Sequence, residues 1–109
     1  MANTFKLKTK ANVGVTTVGI YTAPAATTTV VSGITLANTS GSGVNVGVGI
    51  TRAGTTEDVK LLKNAPIPQG SSLEFMGGNK VVLETTDTVT VDSDTNNSVD
   101  ATLTIMEIT

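Results

Sequence analysis

Apolar and polar residues alternate with a period of two along most of this chain, the spacing of strands that bury one face. The cleanest instance spans residues 44–50, where Val44, Val46, Val48 and Ile50 alternate with Asn45, Gly47 and Gly49. One face is wholly aliphatic and the other nearly bare. Glycine packs nothing and loses more backbone entropy on folding than other residues, so a closely approaching neighbour is the expected reason for the bare face.

The same reading predicts a strand over residues 5–15, interrupted near 11–14, and a short one over 19–23 that Pro24 ends. Residues 30–38 form a longer strand, with Val30, Ile34 and Leu36 on one face and Val31, Thr35 and Ala37 on the other. The polar loop 39–43 joins it to a strand over 44–52, which makes this pair the clearest hairpin. Thr55 and Asp58 have capping-box spacing ahead of lysines and Pro66. A helix of about eight residues is marginal, and Val59 alternates with Leu61, so a strand is the favoured reading.

Residues 65–70 should cross in extended form into a Pro-led turn. Residues 72–76 should then pair with 80–83 through Gly77-Gly78-Asn79, and Val89 with Val91 marks another strand. After a polar turn at 92–98, residues 101–108 close the chain, with Leu103 and Ile105 facing one way and Met106 and Ile108 the other. About eight short strands, without helices to cover a parallel sheet, predict one all-β domain: an antiparallel β-sandwich or jelly roll.

Composition narrows the function. A chain of 109 residues suits a single core. Its net charge of −2 offers no phosphate-binding footprint, so nucleic acid is not an expected partner. The absence of Cys excludes disulfides and thiolate chemistry, and the absence of His removes the commonest general base and metal ligand. No apolar run is long enough to cross a bilayer as a helix and the N-terminus lacks a signal core, so the expected product is soluble with no membrane partner.

The chemistry-bearing patterns each have a plainer structural reading. Residues 92–97 imitate the start of a calcium loop, with Asp87 and Asp100 as conceivable company, but Leu103 stands where the bidentate Glu belongs and Asn97 where the turn Gly belongs. A turn is the better account, and no metal or cofactor is expected. Lys6, Lys8 and Lys10 share a face of the first strand, as a basic docking ridge or as lysines guarding a sheet edge. Glu57, Asp58, Glu74, Glu84 and Glu107 sit in polar-out phase beside apolar strand positions. Without His or a nucleophile elbow they predict solvated faces, not catalysis. The glycines at 41, 43, 77 and 78 read as turns, because no Lys-Ser/Thr pair follows them. Sugar binding would lean on an aromatic platform. Tyr21 is the one candidate, since Phe5 and Phe75 read as core. The triplets at 38–40 and 96–98 match the glycosylation pattern but read as turns.

Several segments together resemble a known group. They are the opening residues 1–6, the Tyr21-Thr22-Ala23-Pro24 turn with Thr27 to Thr39 after it, the Ala65-Pro66-Ile67-Pro68-Gln69-Gly70-Ser71-Ser72-Leu73 crossing and the closing Glu107-Ile108-Thr109. The chain resembles small virion structural proteins of tailed bacteriophages, especially those of marine bacteria and cyanobacteria. The resemblance implies a non-enzymatic all-β subunit present in many copies, assembled into virions in the host cytoplasm. It implies partners among the major capsid, neck or tail proteins, and a homo-oligomer such as a trimer. A capsid decoration or cement protein is the leading expectation, with a neck, baseplate or fibre-associated subunit next and a carbohydrate-binding adhesin module behind. The expected interface combines Lys6, Lys8 and Lys10 with the bare face of Asn45, Gly47 and Gly49, and with Val31, Met106 and Ile108 as apolar company.

Overall fold

The computed structural model describes residues 3–53, 57–74 and 80–109. Among the described residues nine strands run in the order β1 (Asn3–Val13), β2 (Val18–Thr22), β3 (Thr28–Asn38), β4 (Val44–Thr51), β5 (Asp58–Ile67), β6 (Ser72–Glu74), β7 (Val81–Leu83), β8 (Thr88–Ser93) and β9 (Val99–Ile108). They form two antiparallel sheets. The first is ordered β1-β9-β3-β6 with β7 also on β3, and the second β2-β8-β4-β5. β6 pairs with Thr35 to Ala37 and β7 with Thr29 to Val31, so the two short strands lie end to end along one edge of β3. Taken as one interrupted strand, they complete two four-stranded sheets in jelly-roll order.

The sandwich follows from the alternation. Ile34, Leu36, Leu83, Leu103 and Ile105 come inward from the first sheet, and Val46, Val48, Ile67, Val89 and Val91 meet them from the second, all within 1% of full burial. The two predicted hairpins do not form. β3 and β4 lie in different sheets, and β4 takes β5 and β8 as its neighbours. The Asn38 amide explains the crossing: its nitrogen donates to the carbonyls of Ser42 and Ile67 at 2.8 and 2.9 Å, while its oxygen accepts from Ser40 N–H at 2.9 Å. This knot carries loop 39–43 over to the second sheet. With its amide buried and engaged, Asn38 is a structural residue and not a modification acceptor. The pairing expected between 72–76 and 80–83 is replaced by pairing of both segments to β3, and Phe75 and the Gly77-Gly78 turn lie outside the described residues.

β5 is a strand, as favoured over the helix, and it extends into the segment read as a crossing, as far as Ile67. Pro66 fits because β5 is a sheet edge, where a missing N–H costs no ladder bond. Bulges revise the predicted faces of the long strands. The β3–β9 register shifts between Val31 and Gly33, and one extra residue exchanges the faces of everything before it. Val31 therefore joins Ile34 and Leu36 in the core, while Val30 turns outward opposite Met106. Val31 cannot belong to an interface. A second bulge, between Lys10 and Val13 of β1, buries Val13 and ends the strand before the exposed Val15.

The bare face of β4 is covered by its own chain. β5 slips register against β4 between Val46 and Val48 and again between Val48 and Gly49, and its carbonyls come to lie over the glycines. A Cβ on Gly49 would stand 2.8 Å from the Val59 carbonyl oxygen, and one on Gly47 would stand 2.5 Å from Asp92 Oδ1. Both glycines are buried despite facing outward, so they are no contact surface for another molecule. The two obstacles differ in kind, because a backbone carbonyl in a ladder is fixed whereas a carboxylate can swing away. Gly49→Ala should therefore cost about 2–3 kcal/mol of overpacking strain, and Gly47→Ala about 1 kcal/mol, chiefly the Thr17 hydroxyl bond to Asp92. Urea unfolding of the two variants measures the difference, and equal costs would show that the Val59 carbonyl is not the obstacle.

Candidate interaction surface

β1 is a sheet edge, as its lysines suggested, but those lysines point to the core side. Lys6, Lys8 and Lys10 stand opposite Ile105, Leu103 and Ala101 of β9, all core residues. β2 is short and leaves them room beside it. Lys6 Nζ donates to Glu107 Oε1 at 2.8 Å, and Lys8 Nζ lies 5.9 Å from the centroid of the Tyr21 ring. The Tyr21 hydroxyl donates to Glu107 Oε2 at 2.6 Å and is 2.7 Å from the Thr29 hydroxyl, which is then its donor. Strands β1, β9 and β3 of one sheet are thereby tied to β2 of the other. The free basic ridge of the sequence reading is thus in part an internal anchor.

This network fixes protonation. The Lys6 ammonium, then the Tyr21 hydroxyl, hold the Glu107 carboxyl below the usual carboxylate range. Burial, then the Glu107 carboxylate, push the Tyr21 phenol up to about 12. Tyr21 is 7% exposed and its hydroxyl is committed, so it is no sugar platform.

A second ion cluster closes the far side of the sandwich. Arg52 Nε lies 3.1 Å from Asp87 Oδ2, its Nη2 pairs with Glu84, and the N–H groups of Ala53 and Glu84 donate to Asp87 at 3.2 and 3.0 Å. Burial pushes the Asp87 carboxyl up, but those two N–H groups and the guanidinium outweigh it and leave it below its ordinary value. Beside them is a cleft of about 300 Å³ lined by Ile50, Val59 and Val82 together with Arg52, Glu84 and Asp87. Three further acids around the β8–β9 turn are dispersed: Asp92 accepts from Thr17, Asp94 from Asn45 N–H and Asp100 from Asn12 N–H. Among the described residues no three potential ligands gather to hold a metal.

The surface that stands out is the outer face of the first sheet. Phe5 pairs with Met106, Met106 with Val30 and Val30 with Val82, so one apolar row crosses the whole sheet from β1 to β7. Leu7 stands in the next row opposite Thr104, and Ile108 lies between Asn3 and Thr28. Phe5 is 75% exposed, Leu7 64% and Val82 57%. No charge interrupts this face on β1, β9 or β3 between residues 3 and 9, 102 and 108, or 28 and 35, because Lys6, Lys8 and Glu107 fall on the inner phase. Charged residues border it at the far edge, with Glu74 at the end of β6 and Lys80 and Glu84 flanking β7. Met106 and Ile108 are thus brought together as expected. Phe5, read as core, belongs with them, and so do Leu7, Val30 and Val82, which the sequence reading missed. The signal for them is the alternation Phe5-Lys6-Leu7-Lys8, whose apolar phase, and not its lysine phase, faces outward.

No protein-family model and no curated protein matches the chain. Among solved structures it is similar to a Bacillus endospore-appendage protein, of "a novel family of disulfide-linked pili", with a TM-score of 0.60 and 16% identity over 99% of this chain and 87% of that one. A likeness at that identity is one of fold, and it agrees with the two-sheet sandwich.

Glu107→Gln should lower stability at neutral pH by about 1–2 kcal/mol, since the Tyr21 bond survives while the charge on Lys6 loses its partner. The depressed carboxyl contributes stability above its unfolded value, and that contribution is lost as pH falls through the folded one. Melting temperatures should therefore drop less on acidification in the variant than in the parent. An unchanged acid limb would overturn this role for Glu107. The raised phenol works at the other end, its stabilisation fading as pH rises from about 10 to about 12.

Proposed function

We propose that the chain is a non-enzymatic structural component of a tailed-phage virion, a decoration protein that packs on capsid subunits. The observation that carries this reading is the uncharged apolar row Phe5-Met106-Val30-Val82, in which Phe5 and Val82 are exposed and Met106 and Val30 half-buried. Surfaces of this composition mark protein contacts, where charges are depleted at the centre and polar residues form the rim. The phage setting rests on the sequence resemblance, and the jelly roll is a fold that many particle proteins share. A position at the neck, baseplate or tail fibre would use the same surface. The fold neighbour builds disulfide-linked pili. This chain has no cysteine, so its own assembly would rest on noncovalent contact alone.

Particles purified on a density gradient from the chain's source should carry it in many copies, and its density in a particle reconstruction would separate head from neck and tail. Changing Phe5→Ser together with Leu7→Ser should reduce retention on particles at least about tenfold, the equivalent of losing two partly buried apolar side chains. Both residues are exposed in the isolated chain, so far-UV dichroism should not change. Absence of the protein from the particle fraction would overturn the reading.

A further inference from the structure

We infer that the free edge of β1 takes an extended segment of another protein as an added strand. The segment it selects carries two carboxylates two residues apart, with apolar side chains on the alternate positions. This edge is separate from the outer face proposed to pack on capsid subunits, and its partner is tested without a particle.

A sheet edge leaves backbone N–H and C=O groups without a ladder partner, and proteins blunt such edges by shortening, bulges or proline. Among the described residues most edge strands here are blunted in that way. β6 and β7 are three residues each, and β2 is short and shifts register between Gly19 and Tyr21. β5 slips twice, passes through a positive φ at Asn64 and lacks an N–H at Pro66. β1 is different. Asn3 to Lys10 pair with Ile108 to Ala101 of β9 without a shift, and among the described residues no strand pairs with the other side of β1. The result is a long, regular template for strand addition.

The side chains along this edge decide which strand fits. Lys6, Lys8 and Lys10 share one phase, spaced about 6.7 Å apart by the strand rise. Lys6 is held by Glu107. Among the described residues neither Lys8 nor Lys10 has an ion-pair partner, and Lys10 is exposed. An incoming strand sets one side chain directly opposite each of them. Basic or apolar side chains there leave the ammonium groups uncompensated, whereas carboxylates two residues apart answer both. The alternate residues of the segment fall beside Phe5 and Leu7, both exposed, where apolar side chains extend the outer face. Lysines that turn most strands away thus admit one kind.

A second copy of this chain does not supply that segment. Pairing β1 with its own copy, apolar phases on one face, crowds the lysines of both along one side of the seam. The sequence holds a single acid-x-acid triplet, Asp92-Ser93-Asp94. It starts inside β8, which lies between β2 and β4, and its carboxylates already accept from Thr17 and Asn45.

The probe is a capped peptide of alternating valine and glutamate, as long as the Asn3–Lys10 run, titrated into the full chain and followed by amide NMR. Shifts should concentrate on β1. Peptides with serine or lysine in place of glutamate should bind at least about threefold more weakly, the equivalent of losing two exposed ion pairs. Lys8→Gln together with Lys10→Gln should bind the glutamate and serine peptides alike, with far-UV dichroism checking that the variant folds. A second measurement uses the unaltered protein. An added strand bonds through alternate residues only, so of two peptides N-methylated on every valine or on every glutamate, one should lose binding and the other keep it. No binding at millimolar peptide, shifts centred away from β1, or glutamate and lysine peptides bound equally would each overturn the inference. So would a glutamate preference kept by the folded glutamine variant, or two methylated peptides that behave alike.

Discussion

The arrangement of the molecule depends on Glu107 being held on the core side of β9 by Lys6 and Tyr21. A carboxylate there is tolerable only with charged and hydroxyl partners, since an unpaired buried charge is costly. Once Glu107 points inward, period-two alternation leaves Met106 and Ile108 no inward option, and the β1–β9 register sends Phe5 and Leu7 out with them. The ion pair thus lies on the phase that Ala101, Leu103 and Ile105 bury, and the opposite phase is the apolar one that faces out. It also joins that sheet to β2 through the Tyr21 ring and hydroxyl.

The bulges perform the complementary task on the other strands. In β3 the extra residue brings Val31 into the core and aligns Val30 with Met106, which makes the row continuous. In β5 two slips lay the carbonyls of Val59 and Leu62 over Gly49 and Gly47. The two sheets end with different characters: the glycines of β4 are covered by neighbouring groups, and the apolar row of the first sheet is left open.

Electrostatics reinforces the division. Arg52 is shared between Asp87 and Glu84, Lys6 is spent on Glu107, and Asp92, Asp94 and Asp100 each accept a local donor. These charges stabilise turns and strand ends, and Arg52, Glu84 and Asp87 also line the cleft that Val82 borders at the β7 end of the apolar row. On β1, β9 and β3 the row therefore meets water without a charged neighbour.

Alternation and punctuation alone specified an all-β chain, the inward set Val44, Val46, Val48 and Ile50, and the opposite facing of Leu103 and Met106. Those features are local, because a strand's faces follow from a two-residue period. The crossing of β3 to β4 was decided by the Asn38 amide bridging to Ile67, 29 positions away. The exchange of Val30 and Val31 was decided by a bulge against β9, and the cover over Gly47 and Gly49 by the slipped register of β5. The outward apolar face was half legible. Met106 and Ile108 could be seen to face away from the core, but Phe5, Leu7, Val30 and Val82 join them only through cross-strand registers that bring distant segments level. A two-residue period cannot say which of its two phases faces the core when one carries lysines and the other aromatic and aliphatic side chains. Here the partner of Lys6 decided it, and that partner lies at the opposite end of the chain.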